Sequence, residues 1–249
     1  MNDVFRALAR SFRELADPKV AFISMIPMFI SAFLWVTLVY LFWDNLFELS
    51  IDFINEYTGH FVEDDQFFKK LGGVAFIIIL LATIIPLLLF SASIANSLFI
   101  MPIILVYLEG RSYSSLKKLG HSTFLKSLGN VMAGSLLYLS LWLFLLPLSI
   151  SASFLVPIYL WFITGWLSQK LNFYDALSGH ANAIEFEKIK KSKRYSIAFL
   201  GGLTAVIHMI PIVNIIAPTI TSFSFAHFCL NELKVSRSLS SGLSEKCSY

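Results

Sequence analysis

Between Leu71 and Leu108 the chain runs for 38 residues without an Asp, Glu, Lys or Arg. A bilayer core of about 30 Å is crossed by about 20 helical residues at about 1.5 Å rise each. As one straight helix this run would reach about 57 Å, nearly twice that thickness. Two arrangements fit: two short passes, or one long helix, tilted or kinked at Pro86, that continues past the lipid. The charges flanking this and the other apolar runs decide between them.

The chain as a whole is 57% hydrophobic and 14% charged, with a mean hydropathy of +0.73. Soluble domains carry about 25% charged residues, so the composition is that of an integral membrane protein. Its 249 residues leave no room for a separate soluble domain, and 1–234 reads as one polytopic membrane domain. Cys229 and Cys247 are not in a metal-type spacing, and no disulfide framework is implied. There is no Gly-x-Ser-x-Gly elbow, no His-Glu-x-x-His pair and no phosphate-cradling glycine loop. The chain therefore reads as a non-enzyme with no cofactor. His60 with Glu63, Asp64 and Asp65 is the one mixed cluster with cation-binding chemistry, but acidic loops are ordinarily solvated and no metal is assigned to it. The basic residues are ordinary membrane flanks, so nucleic acid is not an expected partner.

In chain order, residues 1–18 carry Val4, Phe5, Leu8, Phe12 and Leu15 near helical spacing, with Arg6, Arg10 and Arg13 elsewhere around the wheel. That pattern predicts an amphipathic helix at the membrane surface, its arginines near anionic headgroups. Asp17-Pro18 ends it. Residues 20–43 are a 24-residue uncharged run, a transmembrane helix with an aromatic end. The segment 44–70 holds seven acidic residues and two lysines. After 71–108 come a basic segment, an uncharged run at 127–169, a second basic segment at 170–194, and an uncharged run at 195–231. The serine-rich tail, 235–249, is predicted to be disordered.

Basic residues near span ends mark the cytoplasmic side. The N-terminus, 109–126, 170–194 and the C-terminus therefore read as cytoplasmic, and the acidic 44–70 loop as outside. It follows that 20–43 crosses outward and 71–108 crosses back once, as the long spine of the fold. The runs 127–169 and 195–231 both start and end inside, so each is predicted to be a helical hairpin. With about 20 and about 17 residues per arm they are short or penetrate only partway. Pro147 and Pro211 fall near their middles, where the turns are expected, and Pro218 with Pro211 marks a second break.

Few polar groups lie at depth: Asn96, Asn130, His208, Asn214 and His227. No carboxylate relay is visible. The stretch Ser91–Ser97 is small and polar, suited to close helix approach, and is the expected landing site for the hairpins. His208 and His227 read as packing histidines. Asp175, His180 and Glu185 share the segment Asn172–Lys193, read as an amphipathic helix with a solvated charged face.

Ala95-Asn96, Met101-Pro102 and Glu109-Gly-Arg111 together resemble the end of the second long helix in CysZ-type sulfate permeases, within the wider etoposide-induced-protein family. The resemblance continues in Tyr174-Asp-Ala-Leu-Ser-Gly-His180 and in Ile210-Pro-Ile-Val-Asn214 with Pro218. It implies an all-α bacterial inner-membrane protein with two long transmembrane helices, two partially penetrating hairpins and homo-oligomerisation. It also implies transport of a small inorganic anion, sulfate or a related oxyanion, for which Lys19, Asn96, His208 and Asn214 are the candidate contacts or pathway residues. The sulfate permeases of this family carry arginine just after the N-terminal helix; here Asp17-Pro-Lys-Val20 offers only Lys19, beside a carboxylate. The alternative reading is a non-transporting membrane scaffold of the same family.

Overall fold

The computed structural model describes residues 2–58, 73, 74, 76, 77, 80, 84, 87, 88, 90–92, 94–120, 124–151, 153–210 and 213–246. Pro86, Pro211, Cys247 and the His60–Asp65 cluster lie outside the described residues. Among those described there is no strand, and three helical stretches, Pro18–Leu41, Phe90–Arg111 and Leu125–Phe144, are long and apolar enough to cross a bilayer. The protein is an all-α membrane protein. The chain divides into two compact units, Met1–Met25 with Ile94–Tyr249, and Ile26–Ser93.

The N-terminal helix α1 covers Asn2–Leu15. Helix α2, Pro18–Leu41, starts with proline in its first turn, where the missing N–H costs nothing. Asp17 caps it by accepting from the Lys19 backbone N–H at 3.0 Å. Phe22 and Phe33 on α2 are 71% and 76% exposed, the signature of a helix whose neighbour is lipid. In the smaller unit, α3 (Trp43–Thr58) presents Trp43 and Phe47 edge-on to the Phe76 ring, at 5.5 and 5.4 Å between centroids. The Trp35 indole donates to Ser91 at 3.1 Å. Ser91 thus bonds inside the smaller unit, while Asn96 and Ser97 of the Ser91–Ser97 stretch bond to the C-terminal helices of the larger one.

In the larger unit a π-helical turn, Asn96–Ile100, leads into α4, Met101–Arg111. Next come α5 (Phe124–Ser151), a 3₁₀ turn (Ser153–Leu155) and α6 (Val156–Ser178). After a break come α7 (Ala183–Ser192), α8 (Arg194–His208), a 3₁₀ turn (Val213–Ile215) and α9 (Ala217–Lys246). Pro147 does not make the turn of the 127–169 run: it lies inside α5, and the chain reverses at Ser153–Leu155. Pro157 instead opens α6, at a position where no N–H is required. Pro218 likewise starts α9 rather than breaking a helix.

The expected spine also changes. Residues 219–230 of α9 are buried on every side, and α9 is packed by α1, α4, α6 and α8. Its small hydroxylated residues, Thr219, Thr221, Ser222 and Ser224, let helices approach closely, while Phe223, Phe225 and Phe228 fill the gaps between them. From the 71–108 stretch Ile100, Met101, Ile104 and Leu108 are buried in this centre. The residues from 235 onward are not a disordered tail at their start: α9 continues to Lys246, and Arg237 ties it to neighbouring elements. Nor is 172–193 one helix, because α6 ends at Ser178 and α7 starts after an Asn182 capping box.

Helices α6 and α8 cross with their backbones nearly touching at Gly165 and Gly201. A methyl group on Gly201 would lie 2.7 Å from the Gly165 carbonyl oxygen, an atom that cannot rotate away. Trp161 closes the same crossing by donating to the Gly202 carbonyl at 2.9 Å. Gly201→Ala is expected to destabilise the protein by about 1–3 kcal/mol, seen as a lower thermal midpoint of the purified protein. An unchanged midpoint would show that the crossing tolerates a wider spacing.

Candidate functional site

A seam of neutral polar side chains runs through the larger unit where the π-helical turn meets the start of α9. The Asn96 amide donates to Ser222 Oγ at 2.6 Å and to the Pro218 carbonyl at 3.1 Å. Its oxygen accepts from Thr219 Oγ1 at 3.1 Å, and Thr219 also reaches the Ser24 carbonyl at 3.4 Å. Ser222 in turn donates to Asn172 Oδ1 at 2.7 Å, and Asn172 donates to the Ser168 carbonyl at 3.0 Å. The seam thus links α2, the π turn, α6 and α9 through buried amides and hydroxyls. The wider π turn aims Asn96 at α9; such turns concentrate at functional positions.

Beside the seam lies Asp175, 8% exposed. Ser97 and Ser127 donate to its two carboxylate oxygens at 2.5 and 2.6 Å. Burial pushes its carboxyl above the usual carboxylate range, and the two hydroxyls oppose that rise. A second pair closes the end of α6: His180 Nε2 meets Glu109 Oε1 at 2.8 Å, and Lys118 reaches the same oxygen at 2.8 Å. Burial lowers the His180 pKa, opposed by the hydrogen bond to Glu109. Asp175 and His180 are therefore not on a solvated face. Their partners come from α4, α5 and the π turn, where both oxygens of Asp175 and the Nε2 of His180 are hydrogen-bonded.

Of the residues singled out as pathway groups, the structure places Asn96 at the centre of the seam. His208 and Asn214 form a separate cluster: His208 Nδ1 lies 3.2 Å from Asn214 Oδ1, and Nε2 lies 3.2 Å from Thr221 Oγ1. Both ring nitrogens are thereby occupied, as suits a packing histidine. Lys19 is exposed and joins neither group. The Lys19 amide at the start of α2 is already taken by Asp17. The sequence reading missed Asn172, Thr219, Ser222 and Asp175. The signal was available in part, because Asp175 and His180 belong to the Tyr174–His180 stretch and Glu109 to the Glu109-Gly-Arg111 stretch that carry the family resemblance.

A model of the sulfate transporter CysZ/etoposide-induced protein 2.4 family matches residues 7–218. No curated protein and no solved structure matches the chain. The family match covers most of α1, the π turn that carries Asn96, the helix α6 that holds both Asn172 and Asp175, and the first two residues of α9. The chain belongs to the sulfate transporter CysZ/etoposide-induced protein 2.4 family.

Proposed function

We infer that this protein is a permease of the bacterial inner membrane for a small inorganic anion, sulfate or a related oxyanion. The observation that carries the reading is the seam of neutral donors, Asn96, Asn172, Thr219 and Ser222, set at the N-terminal end of α9. Hydroxyls and amides can replace the water around an oxyanion without binding it too tightly to leave. A helix that begins inside a membrane domain adds the positive end of its dipole. In this reading both termini are cytoplasmic, the 44–70 loop is outside, the helix pairs α5–α6 and α8–α9 are partially penetrating hairpins, and the protein works as a homo-oligomer. Helix α8 has 15 residues, which reach about 22 Å, short of the core of about 30 Å.

Purified protein in liposomes is expected to admit labelled sulfate faster than empty vesicles leak it. If neither sulfate nor sulfite enters above that leak, the permease reading is lost. One observation favours the scaffold reading instead: each seam group already has a partner within the chain. A scaffold would show no uptake but would co-purify stably with a membrane partner.

A further inference from the structure

Helix α1 divides its surface three ways. Val4, Ala7 and Ser11 are buried against α9, and the Ser11 and Ser224 hydroxyls bond at 2.8 Å. To one side of that contact lie Phe5 and Phe12, 50% and 48% exposed. To the other lie Arg6, Arg10 and Arg13, as the helical period requires of these positions. The apolar flank fits lipid and the basic flank fits the headgroup layer.

The basic flank does not simply face water. With the turn after α4 and the second half of α9 it borders a cavity of about 400 Å³, lined by Arg10, Arg13, Ser112, Tyr113, His227 and Lys234. Glu14 is the one acidic residue of the lining, and it is already engaged by the Tyr107 hydroxyl at 3.0 Å and by Arg111 at 3.4 Å. Two guanidinium groups and an ammonium group therefore outnumber the carboxylate. The buried floor is polar as well. The Tyr113 hydroxyl donates to the His227 carbonyl at 3.2 Å and lies 3.3 Å from His227 Nδ1, with Arg10 beside it. His227 is 2% exposed, and its Nε2 has no hydrogen-bond partner among the described residues. A buried polar atom left without a partner is rare and costly, and here it belongs to a residue that lines a positively charged concavity.

The lining chooses its ligand class. Three cationic side chains exclude a metal ion, and the polar wall excludes an apolar guest. Donors converge from three elements rather than from one planar fork, which suits a tetrahedral oxyanion better than a flat carboxylate. The seam residues Asn96, Asn172, Thr219 and Ser222 do not line this cavity, so the site is separate from the pathway and stands whether or not the chain transports. We propose that the cavity between α1, Tyr113 and α9 is a phosphate-group site, occupied by the headgroup of an anionic phospholipid or by free phosphate.

Two arms of one experiment separate the sources, using the full chain, an Arg10→Gln/Arg13→Gln double variant, and Arg6→Gln as control. Arg10 and Arg13 are exposed, so the double variant retains its fold, and Arg6 shares the basic flank without lining the cavity. In the first arm, protein taken from bilayers of equal phosphatidylcholine and phosphatidylglycerol is examined by native mass spectrometry for retained phosphatidylglycerol. In the second, inorganic phosphate is titrated into protein in neutral detergent at constant ionic strength, and the thermal midpoint is followed. Affinity for the true source is expected to be about tenfold weaker in the double variant and unchanged in Arg6→Gln. A tenfold loss in the first arm assigns the site to lipid, and one in the second assigns it to free phosphate. If the double variant matches the wild type in both arms, or if Arg6→Gln weakens binding as much, the cavity is not a phosphate site.

Discussion

Replacing Arg237 by alanine is expected to lower the thermal midpoint by about 5–10 °C, from a loss of about 3 kcal/mol. Its guanidinium holds three elements at once. Nε and Nη2 grip the two oxygens of Glu185 at 2.8 and 2.9 Å. Nη1 donates to the Lys117 carbonyl at 2.7 Å, and Nη2 also donates to the His180 carbonyl at 2.8 Å. Glu185 is itself the third residue of α7 and closes a capping box, accepting from the Asn182 N–H at 3.0 Å while Asn182 Oδ1 accepts from the Glu185 N–H at 2.8 Å. Removing the arginine takes the guanidinium donors from both Glu185 oxygens and the Arg237 donor from the Lys117 carbonyl. The His180 carbonyl keeps the Leu119 N–H at 3.2 Å, and Glu185 keeps the Asn182 N–H. A half-buried carboxylate that has lost its counterion costs more than the bonds gained in forming the pair. Arg237→Lys keeps the charge but not the fork and is expected to recover less than half of the loss. The pH dependence follows from Glu185, whose pKa the Arg237 bonds hold below its ordinary 4.5, against the opposing effect of burial. A carboxyl depressed in the folded state stabilises the fold above its unfolded pKa and loses that contribution as pH falls through the folded value. Wild type should therefore lose stability on acidification below about pH 4.5 more steeply than Arg237→Ala. Parallel acid profiles for the two proteins would show that the pair is only a surface ornament.

Membrane residence and helical class were legible in the sequence because they depend on length and charge alone. The uncharged runs at 20–43, 71–108 and 127–169 each overlap a helix long and apolar enough to cross. What the sequence could not show was which helix the others surround. Thr219, Thr221, Ser222 and Ser224 look like the polar end of a short arm, yet their small side chains are what allow α9 to be packed from all sides. Asp175 and His180 were read as solvated because charged residues usually are. Their burial depends on Ser97 and Ser127 for one and Glu109 for the other, 78, 48 and 71 residues away, and no local pattern encodes such pairings. Proline misled in a consistent way. Pro157 and Pro218 mark helix starts, Pro147 sits inside α5, and position in the run does not distinguish these uses.

Asn96→Ala is expected to abolish most sulfate uptake in liposomes while costing about 2–3 kcal/mol of stability. The amide serves Ser222, Thr219 and the Pro218 carbonyl together. Ser222 keeps Asn172 and Thr219 keeps only the longer contact to the Ser24 carbonyl, so the cost is that of the three bonds the amide makes. Asn96→Asp tests the same position with a charge. It nearly preserves shape and the oxygen that accepts from Thr219, but it removes the donor to Ser222 and sets a carboxylate oxygen against the Pro218 carbonyl. On the permease reading uptake should fall at least as far as in the alanine variant, and the midpoint should fall at least as far as well. Asn214→Ala, in the separate cluster with His208, serves as the comparison and should reduce uptake less than either. If both Asn96 variants carry sulfate at the wild-type rate, the seam only joins helices and the pathway lies elsewhere. If neither they nor the wild type carry any, the seam's mutual satisfaction is its whole purpose, and the scaffold reading takes the place of the permease.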